Sequence, residues 1–595
     1  MNRTESGHGI LFRLFVVTCL VTGVMFIQAC RNDDSATMHA DRIFHNGEII
    51  TVDKEFSMAD SLAVKDGRII AVGDRGSVFR HRGGDTDMVD LHGRVMMPGL
   101  IDSHTHPTDA ALFEFDHAVP AMHSVADVLD YVKQRSRAVP EGEWICVDQV
   151  FITRLRERRF PSRKELDTVA PEHPVVFATF PSAPAASLNS AALKALNIGA
   201  GNHEDFEVDS GTGKLTGIVH NHTEYIPATA CSNGTGPDEA DIEQRLGKLF
   251  HDYNSVGLTT IADRNADRSE VERYRRMLEK DALSVRMAIS HGIDTGKQRS
   301  VDEIVADIRD IAAHPLRRGD PMLRIIGVKG LVDGGMLTGT AYMKEPWGKS
   351  ELYAIDDPEY RGFYRLPPER LLPIVRATIE EGMQFVGHAV GDGAVNTLVE
   401  TYASVAEDMP IAATRPCIAH CNFMTVKALE RMARLDIVAD FQPAWLYLDA
   451  PTLIDHFDYK RLEYFQPLKT VFNKGIIAGG GSDHWQKIGS LRSTNPYNPF
   501  LGMWIAITRN ARDYPEQVHP EQALNREQAI RLYTANNAHL LFLEEETGSL
   551  EPGKAADMIV LDRDILSCEI EDLKDTRVLR TYLNGELVYS SGTGL

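Results

Sequence analysis

Between Leu100 and about residue 480 the chain alternates short apolar runs with stretches of helical period, which predicts strand-helix repeats built on a parallel sheet. The apolar runs begin at Leu100, Leu258, Val285, Leu323, Gln384, Cys417, Ile437 and Ile476. Eight is the number that closes a barrel, so the predicted fold class is α/β, a TIM (β/α)8 barrel spanning residues 98–544. Residues 108–255 fall between the first two runs and read as a subdomain inserted after strand one, forming one wall of a cleft.

The two chain ends carry a different pattern, apolar runs joined by tight turns. Asn46-Gly47 and Asp66-Gly67 near the start, and Asn584-Gly585 near the end, are hairpin signals because both turn positions need positive φ. Neither end alone is long enough to bury a good core. Residues 40–97 and 545–595 are therefore expected to combine into one discontinuous β-sandwich, with the barrel inserted between them.

Ahead of both, Arg3 and Arg13 precede an apolar stretch from Leu14 to Ala29, followed by Cys30 and a polar run from Arg31. That apolar length is short for a membrane span and suits a secretory signal. The arrangement resembles a bacterial lipoprotein signal over residues 1–30, which implies lipid on Cys30 and an exported, periplasm-facing protein held to the membrane only by that lipid. By the same resemblance, Arg31 favours the outer membrane over the inner.

Hydrophobic residues make up 43% of the chain and charged ones 25%, which excludes a largely disordered protein. The net charge of -22 argues against nucleic acid or an anionic membrane surface as a partner, since each would need a basic face. A small-molecule substrate is the partner expected, and a homodimer stays open. With Cys19 and Cys30 in the signal, the remaining cysteines are Cys146, Cys231, Cys417, Cys421 and Cys568, an odd and scattered set that predicts no disulfide framework. Cys417 and Cys421 read as ordinary buried thiols.

In such barrels the working groups sit at the C-terminal ends of strands, so polar residues are sought where the apolar runs stop. Strand one ends in His104 and His106, which project to one side of a strand and can grip one metal ion together. Strand four ends in Lys329, strand five in His388, strand six in His420, and the glycine run after strand eight in Asp483. Lys329 has two readings: a lysine that reaches water or pairs with Asp333, or a neutral amine that captures carbon dioxide as a carbamate able to bridge two cations. His388 and His420 would singly be core histidines, but their matching positions on adjacent strands favour metal ligation. Asp483 could cap the following segment. It is also the one carboxylate seen to end an apolar run without another task, and it is assigned to proton transfer.

Taken together, Pro98-Gly99, Asp102, His104, His106, Lys329, His388 to Asp392, His420, Gly481 to Asp483 and the tail from Gly548 to Asp557 resemble the amidohydrolase superfamily, in the branch of N-substituted formamide deformylases and their uncharacterised relatives. The likeness covers nearly all of the chain after the signal. It implies two divalent metal ions, with zinc the expected element: His104, His106 and Asp483 on one, His388 and His420 on the other, and carboxylated Lys329 as the bridge. Two departures fall in regions expected to contact substrate: Asp333-Gly334-Gly335 replaces an Asp-Gly-Ser, and Pro184 and Ala185 stand before Asn189 where relatives often carry a histidine.

That reading implies hydrolysis of a non-peptide carbon-nitrogen bond, in an amide, formamide or cyclic amide. Two metals sharing one water would lower its pKa from about 15.7 toward about 7, giving a bridged hydroxide, and Asp483 would carry its proton to the departing amine. The rivals are a deaminase on the same barrel and a catalytically silent surface-binding lipoprotein. A deaminase typically carries a Glu three residues after the strand-five histidine, a place taken by Gly391. Asp333, Thr338, Gln442, His484 and Trp485 are candidate substrate contacts, with Trp445, Trp504 and the stretch from Asn495 to Arg509 as further cleft candidates. A second His-x-His, His220 and His222, reads as surface or cleft lining.

Overall fold

Every apolar run of the middle segment forms a parallel strand. Numbered around the barrel, these are β1 (Leu100–Thr105), β2 (Leu258–Ala266), β3 (Arg286–Gly292), β4 (Leu323–Leu331), β5 (Gln384–Ala389), β6 (Cys417–His420), β7 (Val438–Phe441) and β8 (Ala478–Gly480). They pair in chain order in one eight-stranded sheet of a TIM barrel. The computed structural model describes residues 38–178, 185–199, 205–220, 225–231 and 236–592. The lipoprotein-type signal with Cys30, and likewise Pro184 and His222, lie outside the described residues.

Closure of the barrel depends on glycine. A Cβ on Gly481 would lie 2.8 Å from both Cβ and the backbone N of His104, so only glycine lets the chain after β8 come this close to β1. The approach is used at once: Asp483 N–H donates to His104 O and His106 N–H to His484 O, each at 2.8 Å. Deeper in the seam the Asn537 amide donates to Ile101 O at 2.6 Å and to Gly480 O at 2.8 Å.

The outer helices follow from amphipathic spacing and their caps. Val301–Ala312 buries Ile304, Ile308 and Ile311 and starts on a capping box of Ser300 and Glu303. Helix Glu239–Ser255 starts the same way on Asp238 and Asp241. Its Leu246, Leu249, Phe250 and Tyr253 enter the barrel core, so this helix belongs to the barrel's outer ring and not, as the sequence suggested, to the inserted segment. The remaining insertion has its own sheet, with strands in the order Phe206–Val208, Leu215–His220, Ala185–Leu188, Val175–Phe177 and Ile145–Val147.

One expectation about cysteine is corrected in this insertion. Cys146 and Cys231 form a disulfide across a sequence separation of 85. An odd and scattered set of cysteines carries no record of which two the fold brings together. Cys417 and Cys421 are free and buried, as expected.

Strands from both chain ends share one mixed sheet, in the order Glu586–Ser590, Val578–Leu583, Met558–Leu561, Val95–Pro98, Arg42–Ile50, Met58–Lys65 and Arg68–Gly73, with Asp87–Asp90 also on Arg42–Ile50. Phe44 and Tyr582 sit three ladder steps apart, about 14 Å in a flat sheet. Their ring centroids are 5.1 Å apart, so the sheet curls over a shared core in the manner of a sandwich. Two of the predicted turns, Asp66-Gly67 and Asn584-Gly585, meet at its rim, where Gly585 N–H donates to Ala556 O and Ala556 N–H to Gly67 O, both at 2.9 Å. Asn46-Gly47 is not a hairpin turn but lies within the strand Arg42–Ile50, where the register shifts between His45 and Ile49.

Gly481→Ala should therefore strain the seam. A loss of about 1–3 kcal/mol of stability, as for overpacking, is expected from urea denaturation. An unchanged midpoint would show that the seam can absorb a methyl group.

Candidate metal centre

The six residues picked out at strand ends converge on one cavity of about 340 Å³ at the C-terminal mouth of the barrel. His104 Nε2 lies 3.4 Å from Lys329 Nζ and 3.5 Å from Asp483 Oδ1, and His106 Nε2 lies 3.2 Å from that same Oδ1. The His420 ring is centred 4.9 Å from His104 and 4.4 Å from His388. Ligand atoms of His104, His106 and Asp483 all fall within 4.8 Å of one another, a grouping that could hold a metal ion. Two of these side chains depend on unusual backbone: φ is +80° at His420 and +55° at Asp483, a region that non-glycine residues enter at a cost of order 1–3 kcal/mol.

Behind the rim lies a polar layer that the sequence did not disclose. Asp440 on β7 accepts from His104 Nδ1 at 2.8 Å and from Ser103 Oγ at 2.7 Å. Asp483 is thus not alone in following an apolar run; Asp440 does so as well, but buried one layer deeper. Gln442 Oε1 accepts from His420 Nδ1 at 2.7 Å, while its amide nitrogen reaches Asp440 Oδ1 at 3.3 Å. These bonds use the Nδ1 atoms and leave Nε2 of both imidazoles as lone-pair donors, the arrangement by which second-layer groups set metal-binding tautomers. His388 Nε2 donates to Gly334 O at 3.1 Å, which leaves its Nδ1 free.

The electrostatics suit cation binding. Burial, reinforced by neighbouring Lys329, holds His104 well below the usual histidine range and pulls His388 down to about 3. His420 is lowered by burial and then by His388. Neutral imidazole is the form that ligates metal. For His106 burial is the largest single influence and lowers it, but the hydrogen bond and charge of Asp483, with the charges of Asp263 and Asp109, together outweigh burial and raise it. Burial pushes the Lys329 amine down to about 8, and its one hydrogen-bond partner among the described residues is His104 Nε2. The donor set of four imidazoles, a carboxylate and a buried amine fits divalent metal.

Asp483 is held in place from the insertion. Asn495 Nδ2 donates to Asp483 O at 2.7 Å and approaches Oδ2 at 3.4 Å. Asn495 Oδ1 in turn accepts from Arg154 Nη1 at 3.2 Å, and Arg154 is clamped by both oxygens of buried Asp449 at 2.7 Å each. Asn495 lies in a stretch flagged in the sequence, whereas Arg154 carried no signal.

Several expected substrate contacts are corrected. Gln442 is fully buried and serves His420. His484 is also buried, with Nδ1 on Tyr253 Oη at 2.8 Å and Nε2 on the Gln486 and Lys487 carbonyls; next to Asp483 in sequence, it faces away from the cavity. Asp333 accepts from the N–H groups of Tyr342, Val390 and Gly391, tying the loop after β4 to the end of β5. Thr338 borders a separate small pocket with Phe151 and Leu352. Trp485 and Trp445 line the metal-centre cavity, whereas Trp504 packs away from it against Tyr447. His220 pairs with Glu207 at 3.4 Å in the insertion.

The family profile described as "Amidohydrolase family" matches residues 87–589. An N-substituted formamide deformylase from Arthrobacter pascens is 28% identical over 568 residues, covering 93% of this chain and 99% of that protein. The protein LONG AFTER FAR-RED 3 of Arabidopsis thaliana is 25% identical over 571 residues, with 92% of each covered. A solved structure of an uncharacterized metal-dependent hydrolase from Pyrococcus furiosus aligns with a TM-score of 0.64 at 21% identity, over 88% of this chain and 100% of that one, which speaks to the fold alone.

If Gln442 orients His420, Gln442→Ala should weaken metal retention by roughly 10- to 100-fold in a competition with a chelator. A variant that keeps its metal and shows only a raised KM would restore Gln442 to substrate binding.

Proposed function

The chain belongs to the amidohydrolase family, and from that membership we propose that it hydrolyses a non-peptide carbon-nitrogen bond with two divalent cations held by His104, His106, Asp483, His388 and His420, and by Lys329 as a bridging carbamate. The observation that carries the proposal is the convergence of these six side chains in one cavity. Lys329 supports it in a particular way: a buried amine facing imidazoles, with no hydrogen-bonded carboxylate among the described residues, is costly as an ammonium and stable once carboxylated and ligated.

Bound divalent cations supply Lewis acidity, acidifying water and polarising the substrate carbonyl. The protein's own part is proton traffic and placement. The Asp483 carboxylate, fixed by Asn495, takes the proton of the attacking water and returns it to the leaving nitrogen, which must depart as a neutral amine. Trp445, stacked on His420 with ring centroids 5.0 Å apart, joins Trp485 and Phe151 as an apolar wall for the substituent on the amide. The relative that deformylates N-substituted formamides supports an N-formyl, N-acyl or cyclic amide as the bond cleaved. Lipid on Cys30 and export to the outer membrane belong to the proposal on the strength of the preceding residues alone.

Two metal equivalents are expected by elemental analysis, with hydrolysis of a member of an N-formyl, N-acyl and cyclic amide panel that chelation abolishes. Asp483→Asn should lower kcat at least about 10²-fold while retaining metal, and His388→Ala or His420→Ala should lose one equivalent. Two bound metals with no hydrolysis anywhere in the panel would favour a binding protein instead. Metabolic labelling with radioactive palmitate should mark the wild type and not Cys30→Ser; an unlabelled wild type, or an equally labelled variant, would remove the lipid anchor from the account.

A further inference from the structure

The cavity of the metal centre also contains a guanidinium with nothing to bind. Arg365 borders it on the side of Leu331, Gly334 and His388. Its position is fixed, because its backbone N–H donates to Val332 O at 2.9 Å and isolated bridging joins the neighbouring Tyr364 to Asp333. Its side chain is half-buried and lies 6.0 Å from the Phe363 ring, and among the described residues it has no hydrogen-bonded or ion-paired acceptor. The acid that acts on it from nearby is Asp333. That carboxylate is already spent on three backbone N–H groups.

The fully buried arginines among the described residues each have acceptors built into the fold, although Arg264 Nη2 and Arg273 Nη1 are left without one. Arg154 has Asp449, Arg286 has Asp557, and Arg264 donates to Ser103 O, Ser290 Oγ and Gln384 Oε1. Arg264 also borders the cavity but is committed to those three acceptors, whereas Arg365 has none among the described residues, so Arg365 is the guanidinium open to a partner that arrives with the ligand. A guanidinium presents a planar fork that matches a carboxylate through two parallel hydrogen bonds. The acids that line the cavity are Asp483 and Asp109, the latter influenced by His106 on the β1 side, so the lining on the Arg365 side offers an anion no competing carboxylate.

We infer that Arg365 is the anchor for a carboxylate on the substrate, so that the amides this site takes are anionic, with an apolar part against Trp445, Trp485 and Phe151. This rests on the hydrolase reading above. The reaction balances as ordinary hydrolysis: the water oxygen bonds to the acyl carbon, the carbon-nitrogen bond breaks, and the water proton goes to the amine. The carboxylate on Arg365 takes no part in that exchange and fixes the substrate's orientation, which makes Arg365 a specificity-determining residue.

Matched pairs that differ only by a carboxylate test this with the metal-loaded enzyme: N-formylphenylalanine against N-formylphenethylamine, and N-phenylsuccinamate against propionanilide, which place the anion on the amine and acyl sides. At least one acid is expected to exceed its neutral partner in kcat/KM by roughly 10- to 100-fold, mostly through KM, with Arg365→Leu collapsing that ratio toward one and Arg365→Lys restoring part of it. Calorimetry with 3-phenylpropanoate and 3-phenylpropan-1-ol, neither of which can be hydrolysed, reads the same contact without turnover. Wild type should bind the acid at least 10-fold more tightly, and Arg365→Leu with normal melting and metal content should lose that preference. Equal binding of the acid by wild type and Arg365→Leu, as for a carboxylate held by metal alone, would overturn the inference. A preserved calorimetric preference with every amide untouched would uphold Arg365 as a carboxylate site and remove the hydrolase reading instead.

Discussion

The pair of backbone hydrogen bonds that join the chain after β8 to β1 is the constraint on which the site depends. Through it, Asp483 and His104 become neighbours, although nearly the whole barrel separates them in sequence. The seam is tight because Gly481 has no side chain, and Asn537 stitches its lower part. Were it to open, His106 would lose Asp483, and the ring of ligands would be broken at the point where the two ends of the barrel meet.

From that seam the site is built in layers. The outer layer offers nitrogen and oxygen lone pairs to the cavity, and the next, Asp440, Gln442 and the Gly334 carbonyl, determines which imidazole nitrogen carries the proton. Keeping these histidines neutral is a consequence of burial, so the same packing that stabilises the barrel prepares the ligands. The insertion adds a third influence, since Arg154 reaches Asp483 only through Asn495. Strain at His420 and Asp483 is tolerated because neighbouring bonds hold both: His420 ends β6 and donates to Gln442, and Asp483, three residues beyond β8, is fixed by His104 O and Asn495.

The outer layer was legible in the sequence and the second was not, for a physical reason. A ligand at a strand end leaves a mark, a polar residue where an apolar run stops, and His104, His388 and His420 all carry it. Nearness in sequence then misleads at the next residue: Asp483 enters the cavity, whereas His484, as alternation requires, turns the other way to Tyr253. Asp440 and Gln442 looked like a strand residue and a cleft residue, because the partners that give them meaning, His104 and His420, come from other strands. The Cys146–Cys231 bond was hidden for the same reason, and the helix Glu239–Ser255 was misplaced because its amphipathic face does not say which core it covers.

The most direct measurement of the central claim is anomalous X-ray scattering from crystals of the metal-loaded protein, with data on both sides of the absorption edge. The account predicts two peaks in one cavity, one among His104, His106 and Asp483 and the other beside His388 and His420, with density for a carboxylate on Lys329 Nζ between them. Peaks elsewhere in the molecule, or an unmodified Lys329 beside an empty ring of histidines, would contradict it.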